Sequence, residues 1–293
     1  MTAAALAARQ RAEQLAATLP PLLVAAERVA ATVDQGVHGR RRVGSGDTFW
    51  QFRRYQPGDA RHKIDWRQSA KTQPLFVREM EWAAAQSVWL WRDGSASLRY
   101  RSGDGLPEKA ERADLLALAL VALLVRGGER VALLGSGVPP ASGRSTLNRI
   151  AQQLARPSLS EDNLPPFAPL PRYAQLVLVS DFLSPLPEID AVVRRFAERG
   201  LRGHLLQVLD PAEETLPFAG RVRIEGLEGE GDKLFSRIEA VRDAYVGRVH
   251  AHHEGLAALA RAVGWTFSAH RTDRPPQTAL LALYLRLSET TEA

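Results

Sequence analysis

The feature that most constrains this chain is a regular alternation of short apolar segments and helical segments, which begins at residue 86. The strand candidates are Ser87–Trp91, Arg130–Gly135, Ala174–Ser180, Gly203–Leu209 and Trp265–His270, with Arg221–Gly226 as a further edge strand. The helix candidates are Glu108–Arg126, Thr146–Ala155, Glu188–Arg199, Leu234–Val263 and Gln277–Leu287. Because both faces of such strands are apolar, the pattern predicts an α/β fold: a mostly parallel sheet flanked by helices.

The first part of the chain has a different character. Residues 1–34 predict two helical pieces separated by Pro20-Pro21, because proline interrupts a helix. Glycine and proline punctuate short aromatic segments over residues 36–85, which is typical of strands and ordered loops. We therefore predict an N-terminal extension over residues 1–85 and an α/β domain over residues 86–293.

Composition excludes several classes of protein. The 293 residues include no cysteine, so disulfide scaffolds, thiol nucleophiles and iron–sulfur clusters are excluded. The net charge of +5 comes from 38 basic residues interleaved with 33 acidic ones, a weak signal for nucleic-acid binding. The longest uncharged apolar run, Leu115–Val125, is too short to span a bilayer. With no export signal at the N-terminus, we expect a cytoplasmic protein.

Polar side chains follow two of the predicted strands at the point where each strand ends. Asp93, Ser95 and Ser97 form a D-x-S-x-S pattern after the first strand, and Asp181 follows the third. In open parallel sheets ligands bind at the carboxyl ends of the strands, so these oxygen atoms are expected to lie close together. Such hard oxygen ligands suit Mg²⁺ or Mn²⁺. The alternative is that the same residues serve as ordinary turn and cap residues.

The D-x-S-x-S pattern with a later strand-terminal aspartate resembles the metal-ion-dependent adhesion site of von Willebrand factor A-like domains. That resemblance implies a Rossmann-like parallel sheet and a further threonine ligand. Thr146 or Ser145 fits this role, and the sequence does not choose between them. Arg92 stands where the family has an apolar residue, and its guanidinium is able to neutralise the aspartates in place of an ion.

Residues 36–82 carry a second resemblance. They contain the runs R-Y-Q-P-G-D and I-D-W, with Arg61 between them. The residues of interest in this segment are Arg54, Tyr55, Pro57, Gly58, Asp59, Arg61, Asp65 and Trp66. The segment is similar to the bacterial domain-of-unknown-function family fifty-eight, whose members join it to a von Willebrand A-like domain. The charges and turn residues are typical of a structural cluster. A surface that binds a partner protein is the functional alternative.

The resemblance implies a non-enzymatic adaptor. Proteins of this family are commonly encoded beside MoxR-type AAA+ ATPases and other von Willebrand A-like proteins, so the expected partner is such an ATPase, in protein maturation or envelope-stress functions. Two other functions stay open at this point. One is a metal-dependent hydrolase that uses the same site. The other is a nucleic-acid binder that uses the basic segment 39–54, although nucleic acid is not the expected partner.

Overall fold

The computed structural model describes residues 21–34, 43–55, 64–71, 74–81, 87–154, 163–229 and 231–289. The chain forms two compact units, one made of residues 1–35 and 87–293 (the α/β unit) and the other of residues 36–86 (the small unit). In chain order the described elements are α1 (Pro21–Asp34), β1 (Val43–Arg54), α2 (Trp66–Ser69), β2 (Phe76–Glu81), β3 (Ser87–Arg92), α3 (Lys109–Arg126), β4 (Arg130–Leu133), α4 (Arg144–Leu154), β5 (Gln175–Ser180), α5 (Leu186–Ala197), β6 (Arg202–Leu209), α6 (Pro211–Thr215), β7 (Val222–Glu225), β8 (Asp232–Phe235), α7 (Glu239–Ala262), β9 (Thr266–Arg271) and α8 (Pro276–Glu289). A short 3-10 turn, Ala96–Arg99, follows β3.

The α/β unit is built on a parallel five-stranded sheet in the order β4-β3-β5-β6-β9. Every residue of the central strand β5 is buried, because helices cover both faces of the sheet. This confirms the predicted α/β fold and the five predicted parallel strands.

Side chains alternate between two apolar layers along the strands. On one face Leu176, Leu178 and Leu205 pack with residues of α5 and α7, including Phe196 and Leu256. The other face is covered by α3, which contacts β3, β5 and β6 and is itself packed against α1, α4 and α8. All nine residues of α3 from 116 to 124 are buried, so this helix forms the centre of the second layer.

The region between β6 and β9 differs from the prediction in two respects. Arg221–Gly226 was expected to form an edge strand of the main sheet, but β7 pairs antiparallel with β8 in a separate two-stranded hairpin. The predicted helix Leu234–Val263 begins later, at Glu239, because its first residues form β8. The exposed positions of β8 explain the error, since the strand buries too little apolar surface to show a clear alternation.

The helix α1 corrects the predicted domain division. It was assigned to the N-terminal extension, but it belongs to the α/β unit and contacts α3 and α8. Its buried residues Ala26, Val29, Ala30 and Val33 recur at helical spacing and form a single apolar face. The other predicted helical piece, before Pro20, lies outside the described residues.

The small unit contains an antiparallel pair, β1 and β2, with register shifts between Gly44 and Gln51. Ile64 forms an isolated bridge with Val77, and both side chains are buried. The hydroxyl of Ser69 donates to the Asp65 carbonyl at 2.7 Å and accepts the Phe76 amide at 2.9 Å. These bonds fasten the short helix α2 to the start of β2.

No helix in the described part of the chain is both long enough and apolar enough to cross a membrane.

Candidate functional site

The strand order places the predicted site residues at one edge of the sheet. Starting from β3, the chain goes first to β4 on one side and then to β5 on the other, so β3 and β5 flank the switch point of the sheet. Asp93 follows β3 and Asp181 follows β5, at the carboxyl ends of these two neighbouring strands. This is the crevice in which open α/β sheets bind their ligands.

Asp93 is fully buried and holds the loop after β3 in place. Its Oδ1 accepts the Ser95 amide at 2.8 Å, and its Oδ2 accepts the Ser180 hydroxyl at 2.5 Å. The Asp93 amide continues the β3–β5 ladder by donating to the Val179 carbonyl at 2.9 Å. Both carboxylate oxygens of Asp93 are therefore engaged in fixing the backbone.

Ser95, Ser97 and Asp181 form a short hydrogen-bonded chain. The hydroxyls of Ser95 and Ser97 lie 3.0 Å apart, and the Ser97 hydroxyl donates to Asp181 Oδ2 at 2.8 Å. Asp181 is 2% exposed, and its carbonyl accepts the side-chain amide of Gln207 at 2.9 Å. The structure thus brings together four of the five predicted metal ligands.

A lysine from α3 completes this cluster. Lys109 is 0% exposed, and its Nζ donates to Asp181 Oδ2 at 2.9 Å and to Glu213 Oε1. The ammonium therefore shares an oxygen of Asp181 with the Ser97 hydroxyl. We call Asp93, Ser95, Ser97, Asp181, Lys109 and Glu213 the polar cluster.

Two helix caps position the charged members of the polar cluster. A capping box between Glu108 and Glu111 starts α3 at Lys109. A second capping box starts α6, in which the Glu213 carboxylate accepts the Asp210 amide at 2.9 Å while its other oxygen accepts Lys109. Because the first turn of a helix is electropositive, an ammonium there is unfavourable unless anions compensate it. Asp181 and Glu213 provide that compensation.

Burial controls the protonation of these groups. Burial raises the pKa of Asp93 to about 6, against the hydrogen bonds from Ser180 and Ser95 that favour the carboxylate. Burial lowers the pKa of Lys109, but the carboxylates of Asp181 and Glu213 outweigh that effect and hold this pKa above its ordinary value. Lys109 is therefore a charged ammonium inside the protein at neutral pH.

Thr146 and Arg92, which the sequence also linked to this site, bond to groups other than the side chains of the polar cluster. The Thr146 hydroxyl is buried in the first turn of α4 and donates to the Ser142 carbonyl at 3.1 Å. Ser145 precedes it on the same helix and is exposed. Arg92 pairs with Asp114 at 2.7 Å and donates to the backbone carbonyls of Asp93 and Leu154, so it does not neutralise the site carboxylates.

In this arrangement the site residues do not fit a divalent ion. Both oxygens of Asp93 accept hydrogen bonds from the protein, and Asp181 Oδ2 accepts two. A Mg²⁺ or Mn²⁺ ion bound to Asp181 would also meet the positive charge of Lys109 at hydrogen-bond distance from the same oxygen. Among the residues that the structure describes, no group of three or more His, Asp or Glu side chains is arranged to hold a metal.

The serine hydroxyls of the cluster are bonded to oxygen atoms. In the described ranges the Ser95 hydroxyl is bonded to that of Ser97, the Ser97 hydroxyl is bonded to Asp181, and neither is hydrogen-bonded to a histidine. Asp93 has a raised pKa, a common property of catalytic acids, but it is 0% exposed and so cannot contact a substrate. The polar cluster is a buried support for the surface above it.

That surface is a cleft of about 330 Å³ beside the polar cluster. Ser97 and Glu213 lie at its base, and Tyr100, Leu216 and Tyr245 add aromatic and apolar walls. Its rim carries exposed apolar side chains: Leu183 (55%), Ile224 (39%) and Leu227 (48%). We call this the carboxyl-edge cleft.

The β7–β8 hairpin forms one side of the carboxyl-edge cleft and is tethered to the D-x-S-x-S loop. Glu228, in the hairpin turn, accepts the Ser97 amide at 3.2 Å and the side-chain amide of Asn163 at 2.5 Å. On the opposite side the Tyr245 hydroxyl donates to the Glu213 carbonyl at 2.8 Å. The cleft is thus built from the ends of three strands together with the hairpin.

The predicted motif residues of the small unit are placed in part. The Tyr55 amide donates to the Leu75 carbonyl at 2.8 Å, and the Asp65 amide donates to the Phe76 carbonyl at 2.9 Å. Arg54 and Trp66 are exposed, the latter by 65%, so Trp66 is not a core residue. Pro57, Gly58, Asp59 and Arg61 lie outside the described residues, as do residues 39–42 of the basic segment.

The five-stranded parallel sheet and the helices on its two faces define an α/β protein, and the D-x-S-x-S loop at the carboxyl edge of the sheet resembles that of von Willebrand factor A-like domains. The chain belongs to the family described as "Protein of unknown function DUF58", which matches residues 51–255. Uncharacterized proteins of Mycobacterium tuberculosis and Mycobacterium bovis are each 30% identical to it over 276 residues, which is 89% of this chain and 86% of each relative.

Two solved structures are also similar to the chain. One is the conserved hypothetical protein BatB from Bacteroides thetaiotaomicron, with a TM-score of 0.42 and 15% identity over 71% of this chain and 100% of BatB. The other is an aerotolerance-related membrane protein from Bacteroides fragilis, with a TM-score of 0.41 and 17% identity over 70% of this chain and all of that protein.

Sequence reasoning missed Lys109, Glu213 and Ser180 as members of the site. A signal for the first was present: among 38 basic residues only four are lysine, and Lys109 begins the most apolar helix of the chain. A compact ammonium binds single oxygen atoms, whereas guanidinium prefers a flat pair of them. A lysine at the start of a buried helix therefore points to a single oxygen partner, although Lys71 and Lys233 are exposed and show that lysine alone is no such signal.

Proposed function

We propose that this protein is a non-enzymatic cytoplasmic adaptor that binds a partner protein through its carboxyl-edge cleft. The observation that carries the proposal is the group of exposed apolar side chains at the cleft rim, Leu183, Ile224 and Leu227. Exposed apolar groups gathered around a concave surface are typical of sites where a partner is bound. The volume of the cleft is at the low end of the range of about 300–1,000 Å³ for ligand pockets, and suits one or two anchoring side chains.

The rigid support beneath the cleft favours the same function. Asp93, Asp181 and Lys109 are buried and engaged with one another or with backbone groups, so they fix the D-x-S-x-S loop and the loop after β5 that carries Leu183. A rigid base lowers the ordering cost of binding, because little freedom is lost when the partner docks.

For the partner we propose a MoxR-type AAA+ ATPase, with other von Willebrand A-like proteins as further partners. The support for this part is the family resemblance, since members are commonly encoded beside such proteins. An apolar side chain from a surface segment of the ATPase would then occupy the cleft beside Leu183.

The test is the affinity of the full chain for the MoxR-type ATPase encoded nearest to it, measured by calorimetry. Replacing Leu183 by Asp places a charge in the apolar rim and is expected to weaken binding at least tenfold. The matched control is Tyr173→Asp. Tyr173 is 69% exposed, but it lies before β5, at the opposite edge of the sheet. It also has a left-handed backbone (φ 66°) that aspartate tolerates.

The control variant is expected to bind the ATPase as the unmodified chain does. Equal affinity in Leu183→Asp and the unmodified chain would show that the partner does not bind at the carboxyl-edge cleft. If the unmodified chain binds no ATPase encoded near it, the proposed partner is wrong.

A further inference from the structure

Lys109 occupies an unusual position for a lysine. Its ammonium is fully buried, it lies in the electropositive first turn of α3, and its two partners are Asp181, after β5, and Glu213, in α6. The first two conditions each disfavour a lysine, because burial and the helix dipole both oppose a positive charge. Lysine at this place therefore implies a specific need for a cation between Asp181 and Glu213.

We propose that Lys109 is a built-in cation that replaces the divalent metal of a von Willebrand A-like site. On this view the site of this chain works without a metal ion, and removal of the Lys109 side chain converts it into a metal site. The inference concerns the polar cluster itself and does not depend on the identity of any partner.

The hydrogen bonds around Asp181 support the replacement. Asp181 Oδ2 accepts both the Ser97 hydroxyl, at 2.8 Å, and the Lys109 ammonium, at 2.9 Å. A metal-bound carboxylate oxygen also contacts a cation and a neighbouring hydroxyl. Here the cation is the nitrogen of Lys109 instead of a metal ion. The Ser95 hydroxyl lies 3.0 Å from that of Ser97, so a second hydroxyl is close to the oxygen that the ammonium occupies.

The charge balance supports it as well. A divalent ion would offset Asp93 and Asp181 together, whereas the single charge of Lys109 is bonded to Asp181 and Glu213 and leaves Asp93 without a cationic hydrogen-bond partner. The carboxylates of the polar cluster could therefore balance two positive charges, but only the one charge of Lys109 is present.

The experiment measures Mn²⁺ binding to the full chain by electron paramagnetic resonance and calorimetry at pH 7.5. The unmodified chain is expected to bind no Mn²⁺ at this site. Lys109→Ala is expected to bind one Mn²⁺ ion per chain, and Lys109→Ala/Asp181→Ala is expected to bind it at least tenfold more weakly. In a parallel melting experiment, Mn²⁺ should raise the Tm of Lys109→Ala and leave the Tm of the unmodified chain unchanged.

Two further variants keep the test decisive. In Lys109→Ala the carboxylate of Glu213 loses its cationic partner. Lys109→Ala/Glu213→Gln removes that negative charge as well, so it keeps Asp181 for the metal at a smaller cost in stability. Lys233→Ala removes an exposed lysine of the β7–β8 hairpin and should bind no Mn²⁺.

Binding of Mn²⁺ by the unmodified chain that is lost in Asp93→Ala would overturn the proposal, and this arm needs no lysine variant to fold. A folded Lys109→Ala chain, or a folded double variant with Glu213→Gln, that binds no Mn²⁺ would overturn it equally. Neither result bears on capture of the ATPase, which Leu183→Asp tests separately.

Discussion

At the scale of single residues, His204 shows how burial sets a charge state away from the site. Its side chain lies between β6 and β9, with Nδ1 2.5 Å from the Thr266 hydroxyl and Nε2 2.8 Å from the Ser268 hydroxyl. Hydroxyls donate and accept equally well, so they satisfy a neutral imidazole in either tautomer. Burial, with a smaller contribution from Arg286, lowers the pKa of His204 to about 4.

This shift predicts a pH dependence of stability. The unfolded chain takes up a proton at His204 near pH 6.5, whereas the folded chain does so only near pH 4, so the free energy of unfolding falls as the pH drops through this window. On account of His204 alone the loss between pH 7.5 and pH 4.5 is about 2–3 kcal/mol. His204→Gln is expected to remove that part of the pH dependence, measured by denaturant unfolding at a series of pH values.

The control is His250→Gln, because His250 is on the surface of α7, with its side chain 74% exposed. It should leave the pH dependence of the unmodified chain unchanged. His270, whose pKa is also lowered to about 4 by burial, stays in both variants and contributes the same slope to each. An unchanged slope in His204→Gln would show that His204 takes up its proton equally in the folded and unfolded chains.

At the scale of elements, β6 packs closely against Trp265, the residue before β9, because position 203 of β6 is a glycine. Gly203 faces the indole ring of Trp265, and a Cβ atom at position 203 would overlap that ring. The ring is itself fixed, because Trp265 is buried and its Nε1 donates to the Leu201 carbonyl at 3.0 Å. The indole therefore has little freedom to move away from a larger residue.

Gly203→Ala is accordingly expected to destabilise the protein by about 1–3 kcal/mol, the usual cost of overpacking a core. The matched variant is Gly247→Ala, in the helix α7, where an added Cβ meets nothing within 4 Å. Alanine there should stabilise by about 0.5–1 kcal/mol, because glycine weakens a helix interior. Thermal unfolding of both variants measures the two effects, and a neutral Gly203→Ala would mean that Trp265 is able to shift.

The elements that the sequence predicted well are those with a dense apolar pattern. The central strand β5 and most of the helix α3 are continuous apolar runs, so burial on all sides makes them visible. The strand β7 was predicted, but β8 and the pairing of the two were not, because β8 is mostly exposed and the pairing is fixed by a turn between Glu225 and Asp232.

The candidate site was predictable to a similar extent. The strand ends located Asp93, Ser95, Ser97 and Asp181, because parallel strands bring their carboxyl ends to one edge. Lys109 and Glu213 were not predictable in this way. They reach the cluster from the first turns of two helices, and the direction of a side chain at a helix start follows from its capping, which only the folded structure reveals.

At the scale of the whole molecule, the α/β unit is assembled from two separate parts of the chain. The helix α1 precedes the small unit in sequence, yet it packs against α3 and α8, which follow it. Val29 and Val33 are 6% and 4% exposed, and Ala26 and Ala30 are completely buried. A division of the chain at residue 85 therefore separates α1 from the layer that it completes.

A fragment that begins at Ser87 is expected to melt below the full chain and to bind a hydrophobic dye, since loss of α1 uncovers apolar surface on α3 and α8. Each buried valine of α1 contributes roughly 1.5–3 kcal/mol through the area it removes from water.

Ala30→Glu in the full chain tests the same contact without truncation, and burial of its charge should cost about 3 kcal/mol or more. Thr32→Glu places the same charge on the exposed side of α1 and should leave the Tm nearly unchanged. Equal melting of the two glutamate variants would mean that α1 does not pack on the α/β unit in solution.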